Sequence, residues 1–161
     1  MSGILYGLGL GPGAPDLITL RAARLIEGAK VIAYPALEDG ASFARSIASA
    51  LIPEGAHEIV MKVPMTTERA PAQAAYDRGA AEIAEALDAG EDVVVLCEGD
   101  PFFYGSFMYL FARLAPRFEI VVVPGVTSIA AVAASAGRPL VARNERLSVL
   151  PGPLSEAELT E

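Results

Sequence analysis

Residues 92–106 read DVVVLCEGDPFFYGS, and this stretch decides the fold. It starts with an unbroken apolar run, Val93 to Cys97, and continues into a turn that contains Gly99, Asp100 and Pro101. A strand that is apolar on both faces is typical of a parallel sheet covered by helices on both sides. In such sheets ligands bind beyond the carboxyl ends of the strands, so the turn after residue 97 is the first candidate for a site.

The same alternation of short apolar runs and helical patterns extends over most of the chain. The strand-like runs lie at residues 4–10, 30–34, 58–63, 92–97 and 119–123. The helical patterns lie at residues 16–28, 42–51, 71–89, 107–114 and 126–136, with Asp16 as the expected N-cap of the first. The sequence therefore predicts an α/β fold, a mostly parallel five-stranded sheet with helices on both faces.

The strand and helix pattern restarts near the end of the chain. Residues 146–150 predict a sixth strand, and Ser155 is the expected N-cap of a helix whose first turn ends the sequence. We therefore expect an N-terminal α/β domain over residues 1–123. Residues 124–161 would form a connector helix and the truncated beginning of a second α/β domain.

Composition excludes several classes of protein. The 161 residues include 12 Lys and Arg against 20 Asp and Glu, a net charge of −8, and 53% are hydrophobic, which excludes a disordered chain. An acidic chain is a poor ligand for nucleic acids and anionic membranes, because both attract a basic face. The uncharged run at 120–137 is broken by Pro124 and Gly125, and no basic segment precedes the apolar start, so we expect a cytoplasmic protein with no membrane span.

Cysteine and histidine, the residue types that most often bind structural metals, occur once each. Cys97 is the single cysteine and His57 the single histidine, which predicts neither a disulfide nor a metal site. Cys97 ends an apolar run with no base beside it, so we expect an inert core thiol. His57 precedes the third strand-like run, at the amino end of the sheet, where a surface position is expected.

The glycine-rich loop at residues 7–16 has more than one interpretation. Gly9, Gly11 and Ala14 satisfy a loose dinucleotide-binding pattern, which leaves an NAD(P)-binding oxidoreductase as an alternative. Against it, Asp16 would put a carboxylate where a pyrophosphate needs N–H donors, and two prolines remove further donors. The glycines predict that a ligand or another stretch of backbone comes close, and a tight turn without a ligand is the remaining alternative.

The turn after residue 97 carries a different combination of groups. Gly99 and Asp100 offer backbone groups and a carboxylate, and the three aromatic residues 102–104 offer a stacking wall. This combination suits an adenosine-type ligand that also has a positive centre. The alternative is an Asx-type turn in which Asp100 caps the next helix and the aromatic residues belong to the core.

Three motifs in this order resemble those of the tetrapyrrole methylases. They are GLGLGPG at residues 7–13, GDPFFYG at 99–105 and PGVTS at 124–128. The resemblance covers the chain from residue 4 to about residue 151. Within the family, the run at residues 96–109 and the segment at 64–71 are most similar to the precorrin-2 C20-methyltransferases.

The resemblance implies both a reaction and a set of site residues. The reaction is methyl transfer from S-adenosylmethionine to the C20 meso carbon of precorrin-2 in cobalamin biosynthesis, leaving S-adenosylhomocysteine. Alternatives are a uroporphyrinogen III or other precorrin methylase, a diphthine synthase, or a truncated donor-binding module without activity. By the family's motifs the donor would contact Pro12, Gly99, Asp100, Phe103, Thr127 and Ser128, with Gly11, Glu98 and Tyr104 beside them.

The implied substrate directs attention to positive side chains. Precorrin-2 carries carboxylates that an acidic chain would repel, so local cations must offset the repulsion. Arg69, after the third strand, is the candidate for a contact with a substrate carboxylate. No residue identifies itself as a catalytic base. The family also implies a homodimer.

Overall fold

The computed structural model describes residues 1–64 and 69–150, together with Ala157. Its centre is a single five-stranded sheet with the order β3-β2-β4-β1-β5, in which all neighbouring strands are parallel. The strands are β1 (Leu5–Gly9), β2 (Val31–Ala36), β3 (His57–Lys62), β4 (Val93–Cys97) and β5 (Ile120–Val123). The predicted parallel α/β sheet is confirmed.

In the described part of the chain, five α-helices accompany the strands. They are α1 (Leu20–Glu27), α2 (Phe43–Ala48), α3 (Arg69–Asp88), α4 (Phe107–Leu114) and α5 (Ser128–Ala136). The predicted N-cap of α1 was wrong, because Asp16 lies in a short 3-10 turn, Pro15–Leu17. The backbone is extended again at Ile18, and Thr19 caps α1 by accepting a hydrogen bond from the Ala22 amide at 3.2 Å.

Two apolar clusters cover the two faces of the sheet, and β4 contributes to both. Val93, Val95 and Cys97 pack with residues of α3 and α4. Val94 and Leu96 pack with residues of α1 and α2. Successive residues of a strand point to opposite faces, so a strand buried on both faces needs an apolar residue at every position. The predicted covering of both faces by helices is therefore confirmed.

The chain divides into two compact units, Met1–Ser128 and Ile129–Glu161. The first unit contains the whole sheet and α1 to α4, and it holds every buried apolar residue of the described chain, the last being Val123. The predicted domain limits, 1–123 and 124–161, remain a prediction. Among the described helices, none combines the length and apolar character that crossing a bilayer requires.

The second unit differs from its prediction at residues 146–150. They are exposed and form no strand, so the predicted sixth strand was wrong. A strand needs a neighbour for its backbone groups, and the described part of this unit contains no other strand. Of the predicted helix that begins at Ser155, the structure describes only Ala157, which is helical; the rest lies outside the described residues.

Candidate functional site

Three loops meet at the carboxyl ends of β4, β1 and β5, which are neighbours in the sheet. The amide of Leu10, one residue beyond the end of β1, donates to the carbonyl of Cys97, the last residue of β4, at 2.9 Å. Gly11 and Gly99 then exchange two backbone hydrogen bonds, of 3.2 and 2.7 Å, in an antiparallel bridge. These backbone hydrogen bonds hold the first two loops together.

Glycines at the loop junction allow this close approach. A Cβ atom on Gly9 would collide with the backbone of Gly125 and Gly99, and one on Gly125 would collide with Gly99 and Gly9. Gly11 and Gly99 also have positive φ angles, +77° and +61°, which side chains other than hydrogen disfavour. The sequence predicted that either a ligand or another stretch of backbone comes close to the first glycine loop. The structure shows that the backbone of the other two loops does.

Asp100 connects the second loop to the third. One carboxylate oxygen, Oδ1, accepts a hydrogen bond from the Phe102 amide at 2.9 Å, which forms an Asx turn. The other, Oδ2, accepts from the Gly125 amide at 3.0 Å. The Asx-turn alternative is right for the turn itself, but the residue at the N-cap of α4 is Ser106, not Asp100.

The three aromatic residues of this turn are only partly packed. The Phe102 ring meets Phe107 and Phe111 at centroid distances of 6.2 and 5.0 Å. Phe103 and Tyr104 contact each other edge to face at 5.2 Å, and Tyr104 is 65% exposed. The alternative that places these aromatics in the core is therefore wrong.

The loops enclose a cleft with a volume of about 260 Å³. All nine residues that the motifs predict as donor contacts line it, and so does Phe43: Gly11, Pro12, Phe43, Glu98, Gly99, Asp100, Phe103, Tyr104, Thr127 and Ser128. The described lining thus combines two carboxylates, two aliphatic hydroxyls and three aromatic rings, one of them a phenol, without a lysine or arginine. Such a surface suits a ligand with a ring system and a positive centre.

Phe43 is the lining residue that the sequence reasoning missed. It is the first residue of α2, directly after the N-cap Ser42, and it is 57% exposed. The sequence feature that could have identified Phe43 is its position at the start of the helix that follows the carboxyl end of β2. An aromatic residue in the first turn of such a helix can face the same edge of the sheet as the motif loops.

The candidate substrate contact, Arg69, is described only in its backbone. Arg69 is the first residue of α3, and its side chain, like residues 65–68, lies outside what the structure describes. Its proposed role therefore remains a prediction.

Cys97 and His57 occupy the predicted environments. Cys97 is buried at the end of β4, and burial raises the pKa of its thiol, which keeps it protonated and inert. His57 is exposed at the start of β3, at the amino ends of the strands, whereas the cleft lies at their carboxyl ends. The described residues contain no group of three metal-ligating side chains.

The geometry of the first loop does not favour a dinucleotide. A dinucleotide fingerprint needs a helix that starts directly after the glycines, so that its free N–H groups face the pyrophosphate. Here the 3-10 turn and an extended Ile18 separate the loop from α1, which begins at Leu20.

A second cleft of about 350 Å³ lies at the amino edge of the sheet. Its lining includes Tyr6, Arg24, Lys30 and Asp92, and none of the predicted site residues. Asp92 connects the starts of β4 and β1, since its Oδ1 accepts a hydrogen bond from the Ile4 amide at 2.8 Å. The smaller cleft is the candidate functional site, because the loops of three strands converge on it.

The chain belongs to the tetrapyrrole (corrin/porphyrin) methylases, whose family model matches residues 4–161. Among curated proteins it is 40% identical to the precorrin-2 C(20)-methyltransferase of Sinorhizobium sp., over 99% of this chain and 70% of that protein. It is 47% identical to the cobalamin biosynthesis protein CobIJ of Mycobacterium bovis, over 98% of this chain but only 33% of that protein. The cobalt-precorrin-2 C(20)-methyltransferase of Salmonella typhimurium is 35% identical, over 100% of this chain and 68% of that protein.

Solved structures agree with the fold. The cobalt precorrin-4 methyltransferase CbiF matches with a TM-score of 0.66 and 29% identity, over 88% of this chain and 53% of that chain. The uroporphyrin-III C-methyl transferase of Thermus thermophilus, complexed with S-adenosylhomocysteine, matches with a TM-score of 0.59 and 29% identity, over 88% and 51%. The chain thus spans about half the length of these structures and about a third of CobIJ.

Proposed function

We propose that the protein takes part in S-adenosylmethionine-dependent methylation of precorrin-2 at C20, in cobalamin biosynthesis. The observation that carries this proposal is that residues from three separate motifs line one and the same cleft. The relative from Sinorhizobium, whose name states this activity, supports the choice of substrate within the family.

The proposed donor contacts are the lining residues of the three motif loops. Backbone groups of Pro12 and Gly99 and the hydroxyls of Thr127 and Ser128 can bind the polar parts of the donor, and the Phe103 ring can pack on an apolar part. Asp100 and Glu98 place negative charge near a positive ligand. Gly11 and Tyr104 complete the set.

The bound donor supplies an electrophilic methyl group, which an electron-rich carbon of the macrocycle can attack in line. The chain's own residues need only hold donor and acceptor in that alignment and exclude water. Positioning of this kind can contribute about 7–11 kcal/mol to lowering a barrier. Arg69, at the start of α3, is the proposed contact for a carboxylate of the acceptor.

Ligand binding tests the proposed donor. Isothermal titration with S-adenosylhomocysteine and with NADH separates the two cofactor classes, and we expect binding of the first only. Binding of NADH alone would contradict the methyltransferase proposal. Binding of neither ligand would favour a module that folds but binds the donor only weakly and has no activity.

Product analysis tests the proposed acceptor. The protein, donor and precorrin-2 are incubated without oxygen, and the macrocycle is examined by mass spectrometry and NMR. We expect one additional methyl group, at C20. Metal-free and cobalt-loaded precorrin-2 are compared, since relatives are named for each. Methylation of uroporphyrinogen III, of another precorrin or of a diphthine precursor instead would refute this choice.

We further propose a cytoplasmic homodimer that binds neither nucleic acid nor membranes. The net charge of −8 and the single buried cysteine support this setting, because an acidic chain is repelled by nucleic acids and anionic membranes, and a lone cysteine forms no disulfide within the chain. Exposed apolar side chains on and before α4, Phe102, Met108 and Tyr109, are candidates for the surface between two copies. Light scattering after size exclusion measures the mass, and a monomer at all concentrations would contradict the dimer.

A further inference from the structure

Phe43 is an exposed aromatic residue at the edge of the cleft. On the same helix, Ala44 and Ile47 are buried in the cluster between the sheet, α1 and α2. The Phe43 ring instead faces the cleft, and it packs on Gly13, where a Cβ atom would lie 3.1 Å from the ring carbon Cζ. Its position is therefore explained by the cleft and not by the core.

The sheet order places Phe43 on one particular side of this cleft. The proposed donor contacts follow β4, β1 and β5, which occupy one half of the sheet. Phe43 follows β2, and α3, which begins at Arg69, follows β3, one strand further out. In strand order, the strand that precedes Phe43 thus lies between the strands of the proposed donor loops and the strand that precedes Arg69.

The first turn of α2 is held by hydrogen bonds, which give the backbone of Phe43 a defined place. The Ser42 hydroxyl donates to the Pro35 carbonyl at 2.7 Å and accepts from the Arg45 amide at 3.2 Å. The Arg45 guanidinium binds both carboxylate oxygens of Glu58, on β3, at 2.6 and 2.8 Å. The helix is therefore anchored to both β2 and β3.

We propose that Phe43 contacts the acceptor macrocycle and orients it toward the methyl donor. This inference rests on the proposed function. A rigidly placed aromatic face can pack on the flat apolar face of a partly conjugated ring system, and burying it there gains affinity. Phe43 is thus an acceptor-binding residue contributed by an element that carries none of the family's motifs.

The test separates acceptor binding from donor binding. Phe43→Ala is expected to raise KM for precorrin-2 by about 10-fold, the scale expected for losing one buried aromatic contact. The Kd of S-adenosylhomocysteine, measured by titration calorimetry, should change less than about 2-fold, which is within the usual effect of a surface change. Phe43→Tyr keeps the aromatic face and should restore KM for precorrin-2 to near the wild-type value.

Leu37→Ala is the matched control. Leu37 is also an exposed apolar residue, 41% accessible, in the connection between β2 and α2, but it does not line the cleft. The Leu37→Ala variant should leave both the KM for precorrin-2 and the Kd of S-adenosylhomocysteine unchanged. Denaturant unfolding should show that all variants fold.

Different results would overturn the inference and the proposed function. An unchanged KM in Phe43→Ala, with a wild-type protein that methylates precorrin-2, overturns the inference alone. An equal loss of donor and acceptor affinity would assign Phe43 to the donor and overturn it too. A wild-type protein that neither binds nor methylates precorrin-2 removes the proposed function, and the inference with it.

Discussion

At the scale of single residues, Tyr104 has a conformation that its type does not favour. Its φ angle is +54°, and no other non-glycine residue of the described chain has a positive φ. A left-handed backbone costs an ordinary residue about 1–2 kcal/mol. Tyr104 is also exposed and lines the cleft, so the unfavourable conformation places an aromatic side chain where a ligand can meet it.

Two substitutions at position 104 should separate backbone strain from side-chain function. Both Tyr104→Ala and Tyr104→Gly remove the ring, but only glycine relieves the strain. We expect the glycine variant to be more stable than the alanine variant by about 1 kcal/mol in urea unfolding. Both should bind S-adenosylhomocysteine more weakly than the wild type. Equal stability of the two variants would show that position 104 carries no strain.

Asp100 connects two loops through the two oxygens of one carboxylate. Asp100→Asn keeps the size of the side chain, but its NH₂ group cannot accept the hydrogen bond from the Gly125 or Phe102 amide. Loss of one such bond should lower the free energy of unfolding by about 1–2 kcal/mol. We expect the affinity for S-adenosylhomocysteine to fall about 10-fold, the equivalent of 1.4 kcal/mol.

Asp16→Asn is the control for this substitution, since Asp16 is exposed in the 3-10 turn and does not line the cleft. It changes the net charge by the same amount. If it weakened binding as much as Asp100→Asn, the effect would be one of net charge and not of loop geometry.

At the scale of elements, the ion pair between Arg45 of α2 and Glu58 of β3 anchors α2 to the sheet. Glu58 also accepts a hydrogen bond from the Tyr34 hydroxyl at 2.6 Å. The hydrogen bonds from Arg45, and secondarily that from Tyr34, lower the pKa of Glu58 from 4.5 to about 2, although partial burial opposes them. For Tyr34, burial first and the hydrogen bond to Glu58 second raise the pKa of the phenol. The three residues join β2, α2 and β3.

The lowered pKa predicts how stability depends on pH. Above about pH 5 the Glu58 carboxylate is ionised in folded and unfolded chains alike, and its stabilisation is fully present. As the pH falls from 4.5 toward 2, the unfolded chain takes up the proton first, so stability is lost. The loss should be about 1–2 kcal/mol, because Arg45 is 43% exposed and solvent screens the pair.

Unfolding by urea at several pH values between 2 and 7 measures this dependence. Glu58→Gln removes the titrating group and should flatten this part of the profile. A variant profile that runs parallel to that of the wild type would assign the acid sensitivity to other carboxylates.

At the scale of the whole molecule, the buried core is confined to the first unit. In the described chain no buried apolar residue follows Val123. A chain that ends after Ser128 should therefore fold cooperatively, with a free energy of unfolding within about 1 kcal/mol of the full sequence, as for changes away from the core. Urea unfolding followed by circular dichroism checks this, and loss of a cooperative transition would contradict it.

The accuracy of the sequence-based predictions differed between local and non-local features. The five strands were predicted to within about two residues, because each contains a short run rich in apolar residues. The clearest is β4, which is buried at every position and is therefore apolar throughout. Asp16 and residues 146–150 were wrongly assigned, because helix caps and strands depend on neighbouring residues and strands. Thr19 is also a suitable N-cap residue and caps α1 in place of Asp16. Residues 146–150 have no described strand beside them with which to pair.

The sequence by itself determined the α/β class, the inert state of Cys97 and the motif residues that lie at the carboxyl ends of β1, β4 and β5. These features follow from local apolar patterns and turn residues, which a single stretch of chain carries. Only the tertiary structure decided that β4, β1 and β5 are neighbours, that Gly9, Gly99 and Gly125 meet backbone to backbone, and that Phe43 joins the cleft. Strand order and the contacts between distant loops depend on packing across the whole sheet, and no local pattern contains them.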